Sequence, residues 1–191
     1  MKDKEIEIQV RVSNVKPLLE FLDKEAEFKY ENHQIDKYFT PADRNFTDVR
    51  PVEEWLRLRD SNGKYSINYK RWHYDDSGKS HYCDEYESKI EDIDQVDKIF
   101  SSLGFKSLTE VDKNRKVWEY EDYEISLDSV KELGEFVEIE YKAEEDDRDP
   151  ADITAEMIEF LKERGCGKIE RNYVGYPYQL LFPDEVEFEE Q

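Results

Sequence analysis

Positive charge is in short supply in this chain: 28 Lys and Arg face 49 Asp and Glu, for a formal net charge of −21. A nucleic-acid backbone or an anionic membrane surface would be repelled by such a protein, so no nucleic acid and no membrane is expected as its partner. An anionic ligand stays compatible where cations converge in one cleft and a divalent metal neutralises the remainder. Cysteine is nearly absent too. Cys83 and Cys166 stand far apart without metal-ligand spacing, which argues for neither a disulfide framework nor a zinc site, and neither has the partner a nucleophile needs. The three histidines, His33, His73 and His81, do not cluster and read as surface or structural residues, not catalytic ones. No apolar run approaches the length of a membrane span. The opening MKDKEIEIQV has no signal-peptide core, so a cytoplasmic protein is expected.

What is present is alternation. With 37% apolar and 40% charged residues the core looks lean, but 13 Tyr and 10 Phe restore part of the burial, and a length of 191 residues favours one domain. Residues 5–12 alternate polar and apolar side chains strictly, the mark of a half-buried strand. The same period predicts strands at 28–40, 54–59, 65–70, 81–90, 108–120, 123–130 and 136–143, with a hairpin turn at Asp60-Ser61-Asn62-Gly63. Helices are expected at 15–26, capped by Asn14, at 94–103, stopping at Gly104, and at 151–164, closed by Gly165. The acidic run 144–147 reads as a loop. The domain is expected to span 1–182, and 183–191 reads as an acidic, frayed C-terminal tail. The fold class is α+β, antiparallel and β-rich, with three helices.

Alternate residues of a strand share a face. Glu5, Glu7, Gln9 and Arg11 therefore lie opposite Ile6, Ile8, Val10 and Val12, and Arg57 and Arg59 lie opposite Leu56 and Leu58. Lys70, the Glu85/Glu87 pair, the Lys113/Arg115 pair, Asp128 and the Glu138/Glu140 pair all fall on polar faces of their strands. One reading is a sheet with a solvated outer side, which antiparallel sheets commonly have. The other is a barrel with its apolar faces out under helices and its charged faces lining a tunnel. Carboxylates two residues apart, Glu5/Glu7 and Glu138/Glu140, suit Mg²⁺ or Mn²⁺. Arg57, Arg59, Lys70, Lys113 and Arg115 suit the oxygens of a polyphosphate.

The ordered set Glu5-Ile6-Glu7-Ile8-Gln9, Gln34–Phe39, Leu56-Arg57-Leu58-Arg59, Lys70, Glu85-Tyr86-Glu87, Val111–Arg115, Leu127-Asp128 and Leu133–Glu140 resembles the CYTH (triphosphate tunnel) family, most of all class IV adenylate cyclases. The resemblance runs through about residue 182. It implies an eight-stranded antiparallel β-barrel forming a charged tunnel, with helices packed outside, that binds a nucleoside triphosphate or other triphosphate with Mg²⁺ or Mn²⁺. It implies a metal site at Glu5, Glu7, Asp128, Glu138 and Glu140. Arg57, Arg59, Lys70, Glu85, Glu87, Lys113, Arg115 and Arg171 become substrate-binding residues. Glu5, Glu7, Gln9 and Arg11 occupy the catalytic first-strand signature, where Gln9 replaces the family's lysine and Arg11 stands one pleat further along. Cys83 stands where many relatives carry a basic residue. Three activities follow: cyclisation of ATP to cyclic AMP and pyrophosphate, hydrolysis of inorganic or thiamine triphosphate, and binding without turnover. Apolar faces between helices leave room for a homodimer.

Overall fold

In the computed structural model, residues 4–143 and 147–191 are described; the expected loop at 144–147 lies, apart from Asp147, outside the described residues. The chain runs β1 (Lys4–Val12), α1 (Lys16–Glu25), β2 (Glu27–Thr40), β3 (Glu54–Ser61), β4 (Lys64–Tyr74), β5 (Ser80–Ile90), α2 (Ile93–Ser102), β6 (Lys106–Tyr120), β7 (Tyr123–Val130), β8 (Gly134–Tyr141), α3 (Pro150–Glu163), β9 (Ile169–Arg171), α4 (Tyr176–Leu181) and β10 (Glu189–Glu190). Eight strands pair in the order β1-β5-β4-β3-β2-β6-β7-β8, and β8 returns to β1 to close an antiparallel barrel. Closure removes the open edges that a flat sheet of this size would expose.

The barrel reading of the alternation is the one realised. Ile6, Ile8 and Val10 of β1 point outward, with Ile139 and Ile125 beside them, and α1 and α3 cover them with Leu18, Leu22, Ile153, Met157 and Leu161. Each such buried aliphatic chain contributes about 1.5–3 kcal/mol relative to exposure, so the two helices hold this side of the barrel. On the opposite side α2 brings Phe100 against Phe39 and Leu58. The β3–β4 turn uses Asn62 and Gly63 with φ of 50° and 80°, the conformation a two-residue hairpin requires. Among the described residues no helix is long and apolar enough to cross a membrane.

Two local expectations differ. Helix α1 starts at Lys16 after Val15, with Pro17 in its first turn, so Asn14 is not the cap; its side chain accepts a 3.3 Å hydrogen bond from the Lys16 amide. The C-terminal segment is not frayed. β10 pairs with β9, Glu189 bonds Lys79 at 2.6 Å, and Phe188 stacks on Arg11 at 4.2 Å. Strands of two or three residues carry no readable period, so β9, β10 and the six-residue α4 leave little mark on the sequence.

Candidate active site

Inward-facing residues of the eight strands line one cavity of about 240 Å³. Gly175, Tyr176 and Pro177 at the start of α4 join its wall, at the end where Gln9, Trp55 and Trp72 face inward. Tyr30, Glu124 and Lys142 mark the other end.

The walls differ in charge. On β2, β3, β6 and β7 four cations share two buried carboxylates. Arg59 grips Asp36 through two 2.6 Å hydrogen bonds, and Arg57 reaches the same carboxylate at 3.5 Å. Arg115 grips Asp128 at 2.7 and 2.6 Å and also donates to Glu138 at 2.7 Å. Lys113 reaches Asp128 at 3.2 Å, and the Tyr176 hydroxyl donates to it at 2.9 Å. Burial alone would push both aspartates up; the guanidinium pairs outweigh it and hold both well below the usual carboxylate range. Lys113 is lowered as well, to about 8, through burial and then the charge of Arg115, which moves it toward its neutral form.

The facing wall, on β1, β5 and β8, is short of cations. Lys70 serves Glu5, Glu7 at 3.3 Å and Glu85 at 3.8 Å. Lys142 serves Glu140 at 2.5 Å. Burial, reinforced by the charge of Glu5, pushes Glu7 up to about 8, and burial pushes Glu140 up to about 7. Asn68 donates to Glu85 at 2.6 Å and to Glu87 at 3.3 Å. Cys83 donates its thiol to Glu5 at 3.2 Å, and burial pushes that thiol far up, so no thiolate forms there.

Most of the residues singled out in the sequence meet here: Glu5, Glu7, Gln9, Arg57, Arg59, Lys70, Glu85, Glu87, Lys113, Arg115, Glu138 and Glu140 all line the cavity. Three stand elsewhere. Asp128 is fully buried behind the wall, anchoring Arg115 and Lys113. Arg11 lies between the rings of Phe136 and Phe188 and donates to the Leu133 carbonyl at 3.1 Å. Arg171 lines a small adjoining recess. Sequence reasoning gave no site role to Asp36, Asn68, Tyr176 or Gln179. Strand parity flags the first two; nothing local flags Gln179, whose amide donates to Gln9 Oε1 at 3.0 Å across 170 positions. Gln9 is tied down on its other side by Glu138 at 3.5 Å.

The residues present fit a divalent cation by their chemistry. Glu5, Glu7, Glu138 and Glu140 offer oxygen ligands, which Mg²⁺ and Mn²⁺ prefer. Burial raises the Glu7 and Glu140 carboxyls despite Lys70 and Lys142, and a bound cation would oppose that rise. Among the described residues no three such side chains converge as a preformed metal cluster, and the Lys70 ammonium stands among Glu5, Glu7 and Glu85. The opposite wall suits an anion: Arg57 Nε is buried with no hydrogen-bond partner, although the residue lines the cavity.

Comparison with known proteins agrees with this geometry. A Methanocaldococcus jannaschii protein named "putative adenylate cyclase" is 36% identical over 86% of this chain and 91% of its own length. A Pyrococcus horikoshii structure superposes with a TM-score of 0.75 at 29% identity, covering 95% of this chain and 99% of that one. A Hippeastrum structure, described as a "putative adenylyl cyclase" that reveals a dominant triphosphatase activity, shares the fold at 22% identity, with a TM-score of 0.67, 96% of this chain and 100% of that one covered. The family model for the CYTH domain matches residues 3–188, and the chain belongs to the CYTH domain family.

Proposed function

We propose that the tunnel binds a triphosphate together with Mg²⁺ or Mn²⁺ and converts it, in the first reading by cyclising ATP. The observation that carries this is the segregation of charge: Arg57, Arg59, Lys113 and Arg115 on one wall face Glu5, Glu7, Glu138 and Glu140 on the other, across one cavity. A metal–triphosphate complex has that polarity; a neutral ligand does not. The arginines hold phosphate oxygens through paired N–H donors, with Asp36 and Asp128 fixing Arg59 and Arg115 in advance. Glu5, Glu7, Glu138 and Glu140 are the residues to hold the cation, which when bound polarises the phosphoryl group under attack and neutralises charge on the leaving group.

In the cyclase reading the ribose 3′-oxygen bonds to the α-phosphorus while the α–β bridging P–O bond breaks. Pyrophosphate leaves with the bonding electrons, and the 3′-hydroxyl proton passes to a carboxylate of the acidic wall. The 36%-identical relative carries the same activity in its name. The second reading is hydrolysis: water attacks the terminal phosphorus while the bridging P–O bond to the next phosphate breaks. The diphosphate part leaves with the bonding electrons, a water proton passes to a carboxylate of the acidic wall, and the terminal phosphoryl group becomes free phosphate. One observation favours it: a cavity of about 240 Å³ with charged walls is smaller than the roughly 300–1,000 Å³ of pockets that enclose a drug-sized ligand, so it suits a phosphate chain without a nucleoside.

Product analysis decides between them. Purified protein with Mg²⁺ or Mn²⁺ is offered ATP, inorganic triphosphate and thiamine triphosphate, beside a folded Glu138→Ala control. Cyclic AMP that disappears in the control establishes the cyclase; free phosphate without cyclic AMP establishes the triphosphatase. Triphosphate binding with no turnover of any of the three overturns conversion and leaves a binding protein, and no binding overturns the reading altogether.

A further inference from the structure

Beside the tunnel lies a recess of about 20 Å³ lined by Glu7, Gln9, Trp72, Ser80, Arg171, Asn172 and the backbone leading into α4. Its position follows from strand pairing. One edge of β1 pairs with β5 at Lys4 and Glu5 and with β9 at Val10–Val12. The two neighbours therefore fork at residues 6–9, and the recess opens at that fork.

Two buried donors line it, and one of them, the Asn172 amide nitrogen, has no acceptor. Arg171 is 4% exposed and, among the described residues, forms no close ion pair, although the charges of Glu189 and Glu7 act on it. Its guanidinium donates to the Ser80 carbonyl at 3.3 Å, is hydrogen-bonded to the Tyr173 side chain and lies over the Tyr173 ring at 4.4 Å. Asn172 is 3% exposed; its Oδ1 accepts from the Val174 amide at 3.1 Å, while its Nδ2 has no partner. The acidic side chain of the lining, Glu7, is drawn to Lys70 at 3.3 Å. Buried charges are as a rule paired and buried N–H groups bonded, because leaving either bare is costly. A recess of this size exceeds the roughly 10–15 Å³ that one water-sized occupant needs.

We propose that the Arg171–Asn172 recess is a binding site for one small anionic atom, either a halide ion or a terminal phosphoryl oxygen reaching past Gln9. The halide form stands alone; the phosphoryl form rests on the triphosphate reading of the tunnel. Crystals of the full chain grown in bromide, with and without inorganic triphosphate, distinguish the two by anomalous scattering. A bromide peak between Arg171 and Asn172 without triphosphate assigns a halide site. A phosphoryl oxygen at that place, with bromide absent or displaced, assigns the second form. Bromide in the recess while triphosphate fails to occupy the tunnel keeps the site and sinks the tunnel reading. Water alone in the recess under both conditions overturns the proposal.

Asn172→Asp keeps the acceptor for the Val174 amide and puts negative charge where the free N–H stands. It is expected to weaken anion binding, read by chloride-NMR line broadening or triphosphate titration, at least about tenfold, or ~1.4 kcal/mol. Arg171→Gln should act in the same direction. Unchanged anion affinity in a folded Asn172→Asp protein also overturns the site.

Discussion

The two walls of the tunnel are built from the same kinds of residue and solve opposite problems. On the wall of β2, β3, β6 and β7, Asp36 and Asp128 each hold at least one arginine by two hydrogen bonds, so the cations are oriented before any ligand arrives. On the wall of β1, β5 and β8, Glu5, Glu7, Glu85 and Glu140 depend on Lys70 and Lys142, and burial drives Glu7 and Glu140 toward the neutral form. The first wall is preorganised, with only Arg57 Nε left without a partner among the buried nitrogens of its four cations. The second has fewer cations than carboxylates, which is the separation of anion-binding and metal-binding sides that the proposed function needs.

The comparison breaks hardest at Asp128. Asp128→Asn removes the carboxylate charge that pairs with Lys113 and leaves Arg115 with Glu138 alone, and loss of one partner of a buried pair costs about 3–5 kcal/mol. Denaturant unfolding should show that loss, with triphosphate affinity falling alongside it; a change under about 1 kcal/mol would mean the cationic wall is not held by this carboxylate. Next comes Lys70→Met. Removing the ammonium that stands among Glu5, Glu7 and Glu85 is expected to tighten Mn²⁺ binding by about tenfold, or ~1.4 kcal/mol, in calorimetric titration, while weakening the metal-free fold. Unaltered or weaker Mn²⁺ binding would place the metal ligands elsewhere.

The walls should also respond to pH in opposite senses. Glu7 and Glu140 have folded pKa values, about 8 and about 7, above the ordinary 4.5. Their stabilisation is complete below pH 4.5 and is lost as pH rises toward 8. Asp36 and Asp128 are held low, so theirs is present above about pH 4 and lost as pH falls further. The melting temperature of metal-free protein should therefore fall between pH 5 and 8, and Mg²⁺ should recover most of the fall because it binds ionised carboxylates. A melting temperature that rises over that interval contradicts the account of the acidic wall. The smallest effect is expected from Gln9→Lys. A lysine there gains Glu138 as a charged partner but breaks the Gln179 hydrogen bond, so triphosphate affinity should rise only a few-fold, about 1 kcal/mol or less. A hundredfold gain in turnover would show instead that Gln9 silences the site.

Strict alternation made the eight barrel strands and most of the tunnel lining legible, because a charged residue every second position places its side chain on one face whatever surrounds it. Glu5/Glu7, Arg57/Arg59 and Glu138/Glu140 are visible in that way. The roles of the lining residues were less legible. Asp128 shares the polar face of β7 with Ser126, yet it is fully buried and neutralises Arg115 and Lys113. Arg11 shares a face with Gln9, yet it lies beyond the cavity between two phenyl rings. Parity tells which side of a strand a residue takes, not how far along the barrel axis it sits.

By itself, then, the sequence determined the strands, the inward and outward faces and the inventory of charges, since these depend on a two-residue period and on local turn chemistry. Only the tertiary structure decided which charges neutralise which, that Asp36 and Asp128 belong to the arginines while Lys70 serves three glutamates, and that Arg171 and Asn172 meet at the fork of β5 and β9. The physical reason is closure. Bringing β8 back to β1 and seating α4 at one end joins residues as distant as Gln9 and Gln179 in one low-dielectric space, where pairing depends on ångström separations that no local pattern encodes.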